Sequence, residues 1–237
     1  MNRRLLLLPL LIAGLLMAGC TLSQQVALEN NGSGTARVRV ELAQVFLQYL
    51  QDLAELTGSP DSAGILDPES IAAGFPPEGK IKLTGIHSPE PTRLDLELAF
   101  PPLEELFDAV GGFKEAGILT HRRQGQNKVF ELHLDRGNVG QLTELFPVLD
   151  NPLFEGLGPQ ENDQTSEEEY LELIELALGD EGDEALLASY LELDVRVKGE
   201  VLAQEGGEIV PGGVRYRIPL LRVLLLDKPL NYSLVYK

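Results

Sequence analysis

The chain has no tryptophan, three histidines and one cysteine among 237 residues. A single cysteine has no partner for a disulfide within the chain. With no tryptophan and only 6% aromatic residues, the chain lacks the usual surface for stacking on sugar rings. Positive charge is scarce too: 19 Lys and Arg against 37 Asp and Glu give a formal net charge of −18. That balance argues against nucleic acid as a partner and against polybasic attachment to anionic lipid headgroups. From Gly137 to Val195 there is no Lys or Arg at all, while sixteen Asp or Glu fall there. No apolar run beyond the first twenty residues approaches the ~20 needed to cross a bilayer.

The first nineteen residues read MNRRLLLLPLLIAGLLMAG. Arg3 and Arg4 make a positive start, Leu5 to Leu16 an apolar core broken by Pro9, and Ala18-Gly19 a small-residue cleavage site. This is the layout of a secretory signal peptide. Cys20 follows at once. Residues 17 to 20 resemble the lipobox of bacterial lipoproteins, Leu-(Ala/Ser)-(Gly/Ala)-Cys, with Met17 in the place of the usual Leu. The resemblance implies that Cys20 becomes the mature N-terminus, carrying a diacylglyceryl thioether and an N-acyl chain such as palmitate. It also implies a place in the cell envelope, at the outer membrane or the outer face of the cytoplasmic membrane. The alternative is an ordinary signal peptide cleaved nearby, leaving Cys20 as a lone thiol in an oxidising compartment.

Removing residues 1–19 takes away two arginines and no acid, so the formal charge moves from −18 to −20. Residues 20–25 read as a short tether and 26–237 as a single domain. The five residues Thr21 to Gln25 reach at most about 17 Å. The body therefore sits close to the membrane, with its acidic stretch expected to face away from anionic headgroups.

Alternation and turn residues predict the elements. Val26–Glu29 and Ala36–Val40 flank Asn30 to Gly34, a hairpin whose loop needs positive φ. Leu42, Val45, Phe46, Tyr49, Leu50, Leu53 and Leu56 make a helical stripe ended by Gly58 and Pro60. Asp61 to Gly79 is a loop with one helical turn at Pro68–Ala73. Strands follow at Lys80–Thr84 and Arg93–Phe100, then a helix from Pro101-Pro102 to Gly111-Gly112. Ala116–Arg123 and Lys128–Leu134 form a second hairpin at Gly125, followed by a short helix over 139–146. After a loop at 150–162, Ser166 to Glu169 has capping-box spacing and opens a helix ending at Gly179. A second short helix spans Asp183–Tyr190. Leu191–Lys198 alternates, and further strands lie at Glu200–Ala203, Val214–Ile218 and Tyr232–Tyr236. Strands with one apolar and one polar face favour antiparallel pairing. The expected fold is α+β: a large antiparallel sheet backed by helices, in recurring strand–strand–helix order, with an acidic helical excursion at about 150–190.

The C-terminal stretch is similar to the end of the LppM-type lipoprotein domain family. The points of similarity are Gly199-Glu200-Val201, the Gly206-Gly207 turn and the alternating strand before Pro219-Leu220. The resemblance implies an anchored α+β domain with a lipid-related role and brings no functional residues with it.

Catalytic signatures are missing. No G-x-S-x-G, P-loop or dinucleotide fingerprint is present, and Gly32-Ser33-Gly34 sits inside a hairpin. Asp180 to Glu184 lacks the spacing of an EF-hand loop, and the adjacent Glu104 and Glu105 point apart on a helix. His87 falls in a Ser-Pro loop. The hairpin at Gly125 sets His121 opposite Phe130 and His133 opposite Ile118, on opposite faces, so no shared metal is expected. No cofactor is expected either. Ile218 to Leu226 (IPLLRVLLL) is the most apolar stretch after the leader, either core or the wall of an acyl-chain cavity. The leading reading is a non-enzymatic binding or scaffolding module; the alternative is a carrier or sensor of hydrophobic ligands. A large apolar cavity would favour the carrier, and a solid core with an exposed apolar patch a protein partner.

Overall fold

The computed structural model of the chain describes residues 19–56, 66–109, 117–141, 158 and 165–237. The leader up to residue 18, the stops at Gly58-Pro60 and Gly111-Gly112, residues 142–146 of the expected short helix and nearly all of the 150–162 loop lie outside them.

The fold is α+β, as the alternation predicts. Strands β1 (Thr21–Leu28) and β2 (Gly34–Glu41) form the first hairpin, with Gly32 at φ +85° in its turn. Helix α1 (Gln44–Leu56) follows, then α2 (Pro68–Ala73), whose N-cap Asp67 accepts from the Ser70 amide. Strands β3 (Lys82–Glu90) and β4 (Arg93–Phe100) lead into α3 (Leu103–Ala109). The second hairpin is β5 (Leu119–Gln124) and β6 (Asn127–Leu134). Next come α4 (Glu167–Leu178), α5 (Gly182–Leu187) and β7 (Tyr190–Val197). The chain ends with β8 (Val201–Glu205), β9 (Glu208–Val210), β10 (Gly213–Pro219), α6 (Leu220–Leu225) and β11 (Leu230–Tyr236).

Among the described residues the strands divide into two sheets, in the orders β3-β4-β2-β1-β7-β10-β9 and β5-β6-β11-β8. All pairings are antiparallel except β1 with β7, which run parallel. The chain switches sheets at Gly206-Gly207. A side chain on Gly207 would meet the Tyr216 ring at 2.6 Å, so only glycine lets β8 and β9 turn over that ring.

The period-2 pattern explains the layering. Leu28, Val195, Val197, Val214, Tyr216 and Ile218 of the larger sheet face Phe130, Leu134, Leu230, Tyr232, Leu234 and Tyr236 of the smaller one. Tyr216 and Tyr232 meet edge to face at 5.5 Å, and the Tyr216 hydroxyl donates to the Ser233 carbonyl at 2.7 Å. The opposite face of the larger sheet is a ladder of alternating charge. Arg39 donates to Asp95 at 2.7 Å, Arg37 to Glu97 at 3.2 Å and Arg215 to Asp194 at 2.9 Å across neighbouring strands.

A second apolar cluster joins the helices: Tyr170, Ile174, Leu186, Leu221 and Leu225, with Phe46 packed against them. Ser166 caps α4 as its spacing predicts, accepting from the Glu169 amide at 3.2 Å while the Ser166 amide donates to Glu169 Oε2 at 2.9 Å. The apolar stretch 218–226 is core: Ile218 and Leu226 enter the inter-sheet cluster, and Leu221 and Leu225 the helical one.

Two readings change. Residues 20–25 are not a tether, because Thr21 already pairs with Glu41 of β2 and Tyr190 of β7. Period-2 burial is weak in the polar residues Thr21 to Gln25, and strands on both sides recruit them regardless. His87 is not in a loop, since β3 runs on to Glu90 with His87 opposite Asp95. As an edge strand with register shifts, β3 tolerates Pro89, whose missing N–H would break an interior ladder.

Candidate functional site: the Cys20 corner

Cys20 lies where the central strand of the larger sheet begins. Its amide donates to Ser189 Oγ at 2.7 Å, and that hydroxyl donates in turn to the Ala185 carbonyl of α5 at 2.6 Å. Its carbonyl accepts from the Tyr190 amide at 3.0 Å, and its sulfur from the Ala43 amide at 3.4 Å. The residue is half-buried, and burial pushes its thiol pKa up, outweighing the hydrogen bonds that pull it down. A thiol so held is a poor nucleophile, because the thiolate is the reactive form.

Gly19 is wedged as tightly. A Cβ there would come within 2.6 Å of the Ala185 oxygen and of the Ser189 nitrogen. The bonds of Cys20 to Ser189, Tyr190 and Ala43 fasten the start of β1 to the α5–β7 link and to the approach to α1 without help from Gly19, which cleavage before Cys20 would remove. Asp183 and Glu184 lie on α5, whose Ala185 and the following Ala188 and Ser189 touch Gly19 and Cys20. That end of the acidic segment therefore stands beside Cys20 in space. In sequence the acids stand far from Cys20; the parallel pairing of β1 with β7 is what brings them together.

The other candidates are dispersed. His121 faces Phe130 across the hairpin, and the His133 amide donates to the Ile118 carbonyl, as the turn at Gly125 predicts. The His121 side chain is 3% exposed, lies 2.9 Å from the Tyr236 hydroxyl through Nε2, and its Nδ1 is 3.8 Å from Glu104. His133 is half-buried, with Asn231 at 2.6 Å and Asp135 at 3.0 Å. Among the described residues no three metal-ligating side chains come together. Glu104 approaches His121 while Glu105 lies 3.9 Å from Lys80, so the two carboxylates do point apart.

Burial lowers the His121 pKa, with Lys128 and Arg123 adding to it and Glu104 opposing. A depressed folded-state value means the stabilisation is complete above the ordinary pKa of about 6.5 and is lost as the pH falls below it. His133 runs the other way, since its bonds to Asn231 and Asp135 raise its pKa and favour the folded state below that value. Acid unfolding between about pH 7 and 5 should therefore be shallower in His121→Gln than in the wild type. Urea midpoints across that range measure it, and equal slopes would remove His121 from the account.

A concavity of about 380 Å³ opens on the charged face of the larger sheet, lined by Gln25, Thr35, Arg37, Thr84, Glu97 and Arg196. Guanidinium, carboxylate, amide and hydroxyl groups share its walls with the side chains of Ala27, Ala36 and Leu98. No helix among the described residues is long and apolar enough to cross a membrane.

No protein-family model matches the chain, and no curated protein matches it. Among solved structures it is similar to the NMR structure of the folded domain of the Mycobacterium tuberculosis LppM protein, at 13% identity over 93% of this chain and 90% of that one, with a TM-score of 0.45.

Proposed function

We propose that the chain is an envelope lipoprotein, held at a membrane through lipidated Cys20, whose body is a single non-enzymatic binding or scaffolding domain with an acidic helical excursion. The observation that carries this reading is the position of Cys20: the sole cysteine follows a stretch with the layout of a secretory leader and stands where the folded body begins, bonded to Ser189. Its half-buried thiol, with the pKa raised by burial, is a poor nucleophile, while the exposed half leaves a thioether chain an outlet. The carrier reading loses ground for a physical reason. The apolar stretch that would line an acyl cavity is spent on two cores.

The test is metabolic labelling. Cells grown with labelled palmitate should label the wild-type chain and leave Cys20→Ser unlabelled. Equal labelling of the two, or of neither, defeats the reading.

A further inference from the structure

Helix α4 buries one side and leaves a second apolar strip outside. Tyr170 and Ile174 are fully enclosed in the helical cluster. Leu173 is 48% exposed and Leu176, one turn along, 85% exposed, and the neighbouring Ala177 is exposed as well. Residues three and four apart share a side of a helix, so these three form one strip beside the buried one. Its surroundings carry one sign of charge: Glu167, Glu168, Glu169, Glu172 and Glu175 are all exposed on the same helix. No Lys or Arg lies between Gly137 and Val195 to balance them.

We infer that this strip is a docking surface for a basic amphipathic helix of a partner protein, which names the partner class of the binding module proposed above and rests on that reading. Leucines at helical spacing offer a seam for the apolar side of an incoming helix. The carboxylates flanking the seam select Lys or Arg at the partner's edges and speed its approach. The same charge excludes two other occupants. A second copy would bring an equally acidic face against this one. A bilayer carrying anionic lipid repels it, since such surfaces attract basic segments.

The chain's lack of tryptophan supplies the probe. Full-length protein carrying Leu176→Trp is placed in nanodiscs of zwitterionic phospholipid and titrated with a synthetic peptide bearing Leu and Lys at helical spacing. Fluorescence should shift to the blue and saturate, while a counterpart with Glu in place of Lys gives no shift. Adding Leu173→Gln should weaken the Lys peptide by about tenfold or more with the melting temperature unchanged. Three results overturn the proposal. Binding untouched by Leu173→Gln would be charge attraction alone. Quenching of the tryptophan by brominated lipid before peptide is added would put the strip in the bilayer. A blue emission in the free protein, with a large drop in melting temperature, would mean the chain covers the strip itself. Failure of the anchoring reading shows separately, as protein that does not enter nanodiscs, and the titration is then read in solution.

Discussion

A Cys20→Ser variant, examined as chains of mature length, is expected to leave the membrane pellet almost completely, while the wild type stays there through high-salt and alkaline washes. The size of the effect follows from the anchor. One acyl chain gives only marginal, reversible binding, with a constant of about 10⁴ M⁻¹, whereas two or more chains make a stable attachment. Without residues 1–19 the formal charge goes from −18 to −20, which opposes adsorption to anionic lipid in place of the anchor. Serine differs from cysteine by one atom and keeps the main-chain bonds to Ser189 and Tyr190, so the fold stays intact. Loss of the anchor is thus separated from misfolding. Washing should not release the wild type, because an ionic contact yields to salt and a hydrophobic anchor does not. A Cys20→Ser chain that still sediments quantitatively would contradict this.

Tyr216→Ala is expected to lower the unfolding free energy by about 3–5 kcal/mol, in the range for deleting a fully enclosed aromatic side chain. Tyr216 is 1% exposed and holds the two sheets together: its ring meets Tyr232, lies against Gly207 where the chain changes sheets, and its hydroxyl bonds β11. Alanine leaves a cavity at that junction and strips the Ser233 carbonyl of a donor. Tyr216→Phe removes only the hydroxyl and should cost about 1 kcal/mol. Urea denaturation of the two variants checks both values. A cost below about 1 kcal/mol for the alanine variant would mean that the sheets do not depend on one another for stability.

The parts of the fold that rest on local chemistry were legible in the residues. Gly32 and Gly125 marked their turns, Ser166 and Glu169 their capping box, and Leu94 to Phe100 their strand, because each signal lies within a few positions. What was not legible depends on contacts distant in sequence. Nothing in Thr21 to Gln25 distinguishes a polar tether from a strand; β2 and β7 on either side settle it. The division into two sheets follows from a crossover at Gly206-Gly207 that resembles any hairpin turn. The strand β9, three residues long, is too short for a period to register. Tyr170, Leu173, Ile174, Ala177 and Leu178 make one apolar stripe at helical spacing on α4, yet only Tyr170 and Ile174 are buried, because the stripe is wider than the groove that receives it.

The same division runs through the site. Cys20 is singled out by its neighbours in sequence, Met17 to Gly19, because a processing signal would be a linear segment. Ser189 and Ala43, which fix the orientation of Cys20, stand 169 and 23 residues away and carry no signal of their own. Both residues hold Cys20 against the body, beside the acidic α5.

The most direct measurement of the central claim is the mass of the N-terminal proteolytic fragment of the mature protein, isolated from membranes. The account predicts a chain beginning at Cys20 and heavier than its residues by a diacylglyceryl group and an acyl chain. A fragment beginning at another residue, or at Cys20 with a free thiol, would contradict it.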